Sequence, residues 1–166
     1  MSEGKTVTEG VRDWLEQRGI PALDGWSGQA RRRVTQPVCV VSVEEYTAAS
    51  GGFEHYLGER FDEKTARWEE LYGRRIELKL GLDLYAPEQG CQQELQQLLE
   101  RIISALTLEA PQGLQVEKII CGNLRWEEQS RLLKRQMSAV CTAWLLAARS
   151  EGGEFLDFEL RGGWKI

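Results

Sequence analysis

The stretch RRIELKLGLDLYAPEQGCQQELQQLL, residues 74–99, limits the possible folds more than any other part of the chain. In its first half every second residue is apolar, which predicts a β-strand with one buried and one solvated face. Such strands are typical of antiparallel sheets, because strands of parallel sheets are covered on both faces. The following apolar residues have helical spacing, which predicts an amphipathic helix that begins near Pro87 and carries Leu95, Leu98, Leu99, Ile102, Ile103 and Leu106 on one side. We therefore expect a helix packed on an antiparallel sheet.

The remaining periodic segments predict an α+β fold. A short N-terminal helix is expected, capped by Thr8 and ended by Gly19. The Val-rich residues 34–43 and the stretch LQVEKIICGNLRW, residues 114–126, predict strands. Residues 132–148 fit helical and alternating spacing equally, and the alternating residues 155–160 behind a turn favour a strand, turn and strand. We expect a single domain, residues 1–166, with about four to five strands and two helices.

Residues 47–72 have no clear period, so a long loop or hairpin is expected between the first two strands. The segment contains adjacent glycines, many charges and several aromatic residues. A connection of this length is usually functional or mobile. The alternative interpretation is a short surface helix over residues 62–72 with a solvated hairpin end before it. We predict that this segment forms an interface through Phe53, His55, Tyr56, Phe61, Trp68 and Tyr72.

The residues that commonly carry catalysis are sparse or scattered in this chain. His55 is its only histidine, and the sequence lacks the motifs of nucleotide-binding loops, serine hydrolases and zinc proteases. The four cysteines are far apart and favour buried free thiols over a disulfide framework or a zinc site: Cys39, Cys91, Cys121 and Cys141. We therefore expect no enzyme activity, no metal and no cofactor.

Charge and hydropathy exclude two further classes of protein. A formal net charge of −5 argues against a general nucleic-acid binder, since neutralising phosphates requires an excess of Lys and Arg. The basic run at residues 31–33 is interpreted as solvated charge rather than an anion site. The longest apolar run, residues 143–148, is too short to span a bilayer, and the N-terminus has no apolar signal core. We expect a protein made in the cytoplasm and without membrane contact.

The order of elements resembles that of the tail terminator proteins of tailed bacteriophages and prophages. The resemblance rests on residues 74–106, where an alternating strand leads through Tyr-Ala-Pro and a glycine into a Leu-rich helix, followed by LQVEKIICGNLRW and the closing FLDFELRG. It covers residues 34–161 by element order and includes no catalytic motif. Residues 47–72 depart from the pattern.

The resemblance implies a structural protein of the virion, located at the junction of tail and neck after assembly in the bacterial cytoplasm. Members of the family cap the tail tube as a hexameric ring, stop tube polymerisation and present the surface that joins the head. The implied partners are further copies of the chain, the tail tube protein and the neck or head-completion protein. The protein is expected to be a ring or, in isolation, a monomer, and DNA would pass its lumen without specific binding. The alternatives are a neck or head-closure connector and, less in keeping with the charge, a small nucleic-acid-binding regulator.

Overall fold

The computed structural model describes residues 5–25, 34–48, 55–150 and 155–160. Within these residues two α-helices and seven strands form an α+β fold, which confirms the predicted class with more strands than the four to five expected. The elements in chain order are α1 (Val7–Glu16), β1 (Ala22–Leu23), β2 (Val38–Ala48), β3 (His55–Asp62), β4 (Arg67–Ala86), a short 3-10 helix (Gln89–Cys91), α2 (Gln92–Leu108), β5 (Leu114–Glu127), β6 (Leu132–Ser150) and β7 (Phe155–Leu160). The basic run at residues 31–33 lies outside the described residues.

The long strands β4 and β6 pair antiparallel and form the centre of the sheet. Along the outer side of β4, β2 pairs with residues 76–85 and β3 with residues 67–73. Along the outer side of β6, β5 pairs with residues 132–143 and β7 with residues 145–149. The two-residue β1 adds a parallel pairing to β2.

The sheet thus has two halves that share its central strands. We name the half made of β2, β5 and the adjoining parts of β4 and β6 the covered half, because both helices pack on it. We name the other half the extension. Within the described residues it consists of β3, residues 67–73 of β4, residues 145–150 of β6, and β7.

The core lies between the covered half and the helices. The alternating residues of β4 are buried as predicted and share one hydrophobic cluster with the stripe of α2: Ile76, Leu78, Leu80, Leu82, Leu84, Leu95, Leu98, Leu99, Ile102 and Leu106. Ile103 is partly buried against the same cluster. Full burial of one such side chain contributes roughly 2 kcal/mol, before the entropy of ordering the chain is subtracted. The strand β4 and the helix α2 therefore supply a large part of the core.

The helix α1 begins earlier than predicted, because Thr6 rather than Thr8 is its N-cap. The Thr6 Oγ1 accepts the backbone N–H of Glu9 at 3.3 Å, and the Glu9 Oε2 accepts the backbone N–H of Thr6 at 3.3 Å. This reciprocal pair satisfies two backbone donors that the helix itself leaves without partners. Gly19 follows the helix as predicted, with a φ of 72° and its N–H donated to the carbonyl of Glu16 at 3.0 Å.

Two further boundaries differ from the prediction. The first long strand covers Val38–Ala48 instead of residues 34–43, since it starts only after Pro37, whose ring nitrogen has no N–H to donate. Pro87 lies in a bend, and α2 starts at Gln92 behind the 3-10 helix. The ambiguous residues 132–148 lie in β6, which confirms the strand interpretation. Among the described residues, none of the helices is both long and apolar enough for a membrane span.

Candidate interaction surface

Residues 47–72 contain a β-hairpin, in the segment that the sequence predicted to be a long loop or hairpin. β3 pairs with the start of β4 across a turn at residues 63–66, so the hairpin part of the alternative interpretation is confirmed and its helix over residues 62–72 is wrong. The hairpin is hard to recognise in the sequence because apolar and polar residues do not alternate regularly along either of its strands. That mixed pattern is expected of a part of the sheet that extends beyond the helices.

Four of the six predicted interface residues come together on this hairpin. Tyr56 pairs with Tyr72 across the strands, and Phe61 pairs with Trp68. In both pairs the ring centroids are 5.5 Å apart and the rings are inclined, at 62° and 59° respectively. Inclined aromatic pairs of this kind stabilise a hairpin and hold each other's rings in place. We name the four residues together the aromatic face.

The aromatic face is largely open to solvent. Tyr56, Phe61 and Trp68 are 55%, 48% and 49% exposed, whereas Tyr72 is half-buried. Trp68 and Tyr72 alternate in step with Ile76 and Leu78, so they lie on the side of the sheet that carries the helices. The aromatic face therefore continues the core side of the sheet beyond the helices.

The two other predicted interface residues are not placed on this surface. Phe53 lies outside the described residues. His55 is the first residue of β3 and pairs in register with Gly73, but only its backbone is described. A role for either side chain stays a prediction.

Polar contacts hold the hairpin on its opposite side and at its turn. The Arg60 Nε donates to the Glu69 Oε2 at 2.8 Å, and Glu69 is only 7% exposed. At the turn, the Asp62 carboxylate accepts the backbone N–H of Lys64 at 3.0 Å and the hydroxyl of Thr65 at 3.1 Å. These contacts lower the pKa of Asp62, and the Lys64 N–H is the largest cause. The aromatic face is therefore presented on hydrogen-bonded strands.

Tyr46 belongs to the same side of the sheet and was missed by the sequence argument. It pairs with Leu78 and is 44% exposed. A register shift between Val43 and Glu45 turns it to the helix side of β2. Burial of part of its ring raises the pKa of Tyr46. A β-bulge leaves no mark in hydropathy, so the sequence held no signal for this placement.

The cysteines differ in their burial more than the sequence predicted. Cys39 and Cys141 are buried free thiols, and burial raises the pKa of Cys141 to about 12. Cys91 is half-buried, and Cys121 is exposed at a register shift of β5, which corrects the expectation that these thiols would be buried. In the described part of the chain, no three His, Cys, Asp or Glu side chains are grouped closely enough to hold a metal ion.

The geometry of the aromatic face suits contact with another protein. Exposed aromatic residues on rigid strands lose little conformational freedom on binding and remove a large apolar area from water. The sequence matches no protein-family model and no curated protein.

Proposed function

We propose that the protein is a phage or prophage tail terminator that caps the tail tube as a hexameric ring. In this role it stops tube polymerisation and provides the surface to which the neck or head-completion protein binds. It acts as a structural protein of the virion, without catalysis or a cofactor. The observation that carries the proposal is the aromatic face, exposed on an extension of the sheet beyond the helices.

Two features of the molecule support this proposal. The helices pack on one side of a mostly antiparallel sheet, which is the arrangement that the family resemblance implies. The hairpin also concentrates exposed rings in the segment that departs from the family pattern. Assembly partners need surfaces that remain uncovered in the separate chain, and the aromatic face is such a surface.

Substitutions on the aromatic face should affect the free energy of binding and the free energy of unfolding to different extents. Loss of a cross-strand aromatic pair that is about half exposed lowers the free energy of unfolding by about 1 kcal/mol. Removal of an aromatic residue at the centre of an interface weakens binding by about 2 kcal/mol or more. Substitution on the aromatic face should therefore damage assembly more than it damages the fold.

The test replaces two rings of the aromatic face in the double variant Phe61→Ser, Trp68→Ser. The matched control is Ile120→Ser, which removes a side chain of similar exposure, 43%, from β5 outside the extension. Each variant is supplied in place of the wild-type chain during particle assembly, and tail length and head attachment are measured by electron microscopy. We expect the double variant to give overgrown tails, with or without attached heads, and the control to give joined particles with normal tails.

The outcomes distinguish the proposal from its alternatives. If the double variant folds, with a melting temperature lowered by no more than about 5 °C, and still gives joined particles with tails of normal length, the proposed surface is wrong. Tails of normal length that fail to join heads would instead identify a neck connector.

A further inference from the structure

Within the residues that the structure describes, the extension has an unpaired strand edge on each of its two sides. Its strands follow one another in the order β3, β4, β6, β7. Among the strands that the structure describes, β3 pairs with β4 alone and β7 pairs with β6 alone. With respect to the described part of the chain, the outer backbone groups of both strands are therefore available to a further strand.

The two free edges lie at the same height on the extension. Residues 70–73 of β4 pair with β3 on one side and with β6 on the other. The same residues of β6 pair in turn with β7. One complete row contains Tyr56, Tyr72, Ala147 and Phe158. Neighbouring strands of a sheet are about 4.8 Å apart, so the outer strands of such a row are separated by about 14 Å.

The strand directions allow the two edges to pair with each other in different copies. Each neighbouring pair in the extension is antiparallel, so β3 and β7 run in opposite directions. A second copy rotated about an axis parallel to the strands keeps these directions. Its β7 would then lie antiparallel beside β3 of the first copy, which continues the alternation without a break.

The two other edges of the sheet, the outer sides of β2 and β5, are less suited to strand addition. β2 is paired with β1 at Cys39 and Val40 and has a register shift between Val43 and Glu45. β5 contains two register shifts, between Val116 and Lys118 and between Cys121 and Leu124. Such bulges twist an edge and interrupt its hydrogen-bonding row, and proteins use them to prevent strand pairing. β3 and β7 each have one register shift close to their first residues, so residues 58–62 of β3 and residues 157–160 of β7 pair without interruption.

We infer that β3 of one copy pairs antiparallel with β7 of the next, so that extensions join head to tail into one continuous sheet. A head-to-tail contact uses two different edges and closes into a ring when the rotation between copies divides a full turn. The inference rests on the proposed function, because it names the contact by which copies of a ring-forming terminator are joined. The aromatic face would lie along one side of the joined sheet and stay available to a partner.

The test disables one edge at a time with proline, which lacks the N–H that strand pairing needs. For β3 the variants are Glu59→Pro and Arg60→Pro, and for β7 they are Asp157→Pro and Phe158→Pro. Backbone N–H groups of consecutive strand residues point to opposite sides, so one member of each pair affects the outer edge and leaves the inner pairing intact. The member whose melting temperature stays closest to that of the wild type is used. The control is Asn123→Pro, placed at the second register shift of β5.

Association is measured by sedimentation velocity and native mass spectrometry at a protein concentration of about 1 mM, where even weak pairing is populated. We expect the wild type and the control to form species larger than a monomer. Each edge variant alone should lose all of them. A mixture of a β3 variant with a β7 variant should give a one-to-one dimer and nothing larger, because one intact edge remains on each copy.

Three results would overturn the inference. They are a wild type that is monomeric at this concentration, a folded β7 variant that still forms dimers through β3 alone, and a mixture of variants that fails to form dimers. Failure of the proposed function is a separate result. If the mixture forms dimers but the Phe61→Ser, Trp68→Ser variant assembles normal particles, the edge pairing holds and the terminator surface does not.

Discussion

Asp83 lies where β4 and β6 depart from regular pairing. The register passes from Gly81 and Ser138 directly to Leu84 and Arg135. Between them, the backbone N–H of Met137 donates to the Asp83 Oδ1 at 3.3 Å. Burial raises the pKa of Asp83, and this effect outweighs the opposing influence of Lys134, whose Nζ is 4.0 Å from the Oδ2, and of the Met137 N–H.

The raised pKa of Asp83 predicts that Asp83→Asn stabilises the protein at neutral pH. Because the folded state holds the Asp83 proton more tightly than the unfolded state does, the wild type loses stability as the pH rises through the folded pKa of this carboxyl. Asn removes the charge and keeps an oxygen for the Met137 N–H. We expect a higher melting temperature for the variant at pH 7, with the difference disappearing below about pH 4, where an unfolded aspartate is largely protonated. Thermal denaturation from pH 3 to pH 8 measures this, in steps of about one unit.

Asp62→Asn is the control for the Asp83 prediction, because its pH trend has the opposite sign. The pKa of Asp62 is lowered, chiefly by the N–H of Lys64, so its carboxylate stabilises the fold above the unfolded pKa and loses that effect as the pH falls. Asp62→Asn should therefore be less stable than the wild type at pH 7, and this difference should also shrink as the pH falls. A variant Asp83→Asn that is less stable than the wild type at pH 7 would show that the Lys134 contact exceeds the effect of burial.

Single residues show how far local sequence signals reach. Thr6 and Thr8 both precede apolar helical residues, and only the Glu9 side chain, three positions after Thr6, distinguishes the true N-cap. The capping-box spacing of Thr6 and Glu9 is thus a local signal that identifies the N-cap. By contrast, the exposure of Tyr46 depends on a bulge in β2. The interrupted pairing at Asp83 depends on a hydrogen bond from the backbone of β6 to a side chain of β4. Contacts between distant residues of this kind are not encoded in local spacing.

Among the elements, α2 and the covered part of β4 were the most predictable. Their apolar periods differ clearly, and each period is complete because one face is fully buried. The period of β6 was ambiguous, since its Ala and Cys residues fit either spacing. The turn and alternating strand that follow in the sequence were needed to decide it. The apolar period is therefore clear where one face is buried and the other is not, as in α2, and it is blurred in β6, where the consecutive residues 137–141 are all buried.

The helix α2 provides the clearest prediction at this scale. Leu99→Asp places a carboxylate in the core, where Leu99 is 4% exposed. Burial of an unpaired charge costs several kcal/mol, which is comparable to the whole stability of a domain of this size. We expect the variant to lose its cooperative unfolding transition in urea, as followed by circular dichroism.

The matched control for Leu99→Asp is Gln97→Asp, which introduces the same side chain two residues away on the exposed side of α2. Its effect on the free energy of unfolding should stay within about 0.5 kcal/mol. Equal stability of both variants would contradict the packing of the Leu stripe on the sheet.

At the scale of the whole molecule, the predicted arrangement of helices on an antiparallel sheet is confirmed. The division of that sheet into a covered half and an extension was not predicted. The sequence predicts a long loop or hairpin for residues 47–72, and the structure places its two strands, β3 and the start of β4, in the same sheet. Four residues of the predicted interface share one face because strand pairing aligns positions that are distant in sequence. Their aromatic character was visible in the sequence, whereas their common surface required the register.

The division into halves predicts unequal local stability along the same strands. In the covered half, β4 and β6 are hydrogen-bonded on both sides and buried beneath helices, whereas in the extension the rings of the aromatic face leave one side open to water. Local opening is easier where fewer apolar contacts must be broken. We expect amides of residues 76–82 and 137–143 to exchange with deuterium at least tenfold more slowly than amides of residues 67–73 and 146–150, a difference of about 1.4 kcal/mol. Hydrogen exchange of the separated chain, read by mass spectrometry of overlapping peptides, measures this within β4 and β6 themselves. Equal exchange in both parts would mean that the extension is as firmly held as the core, and that its strands do not depend on a neighbouring copy for their stability.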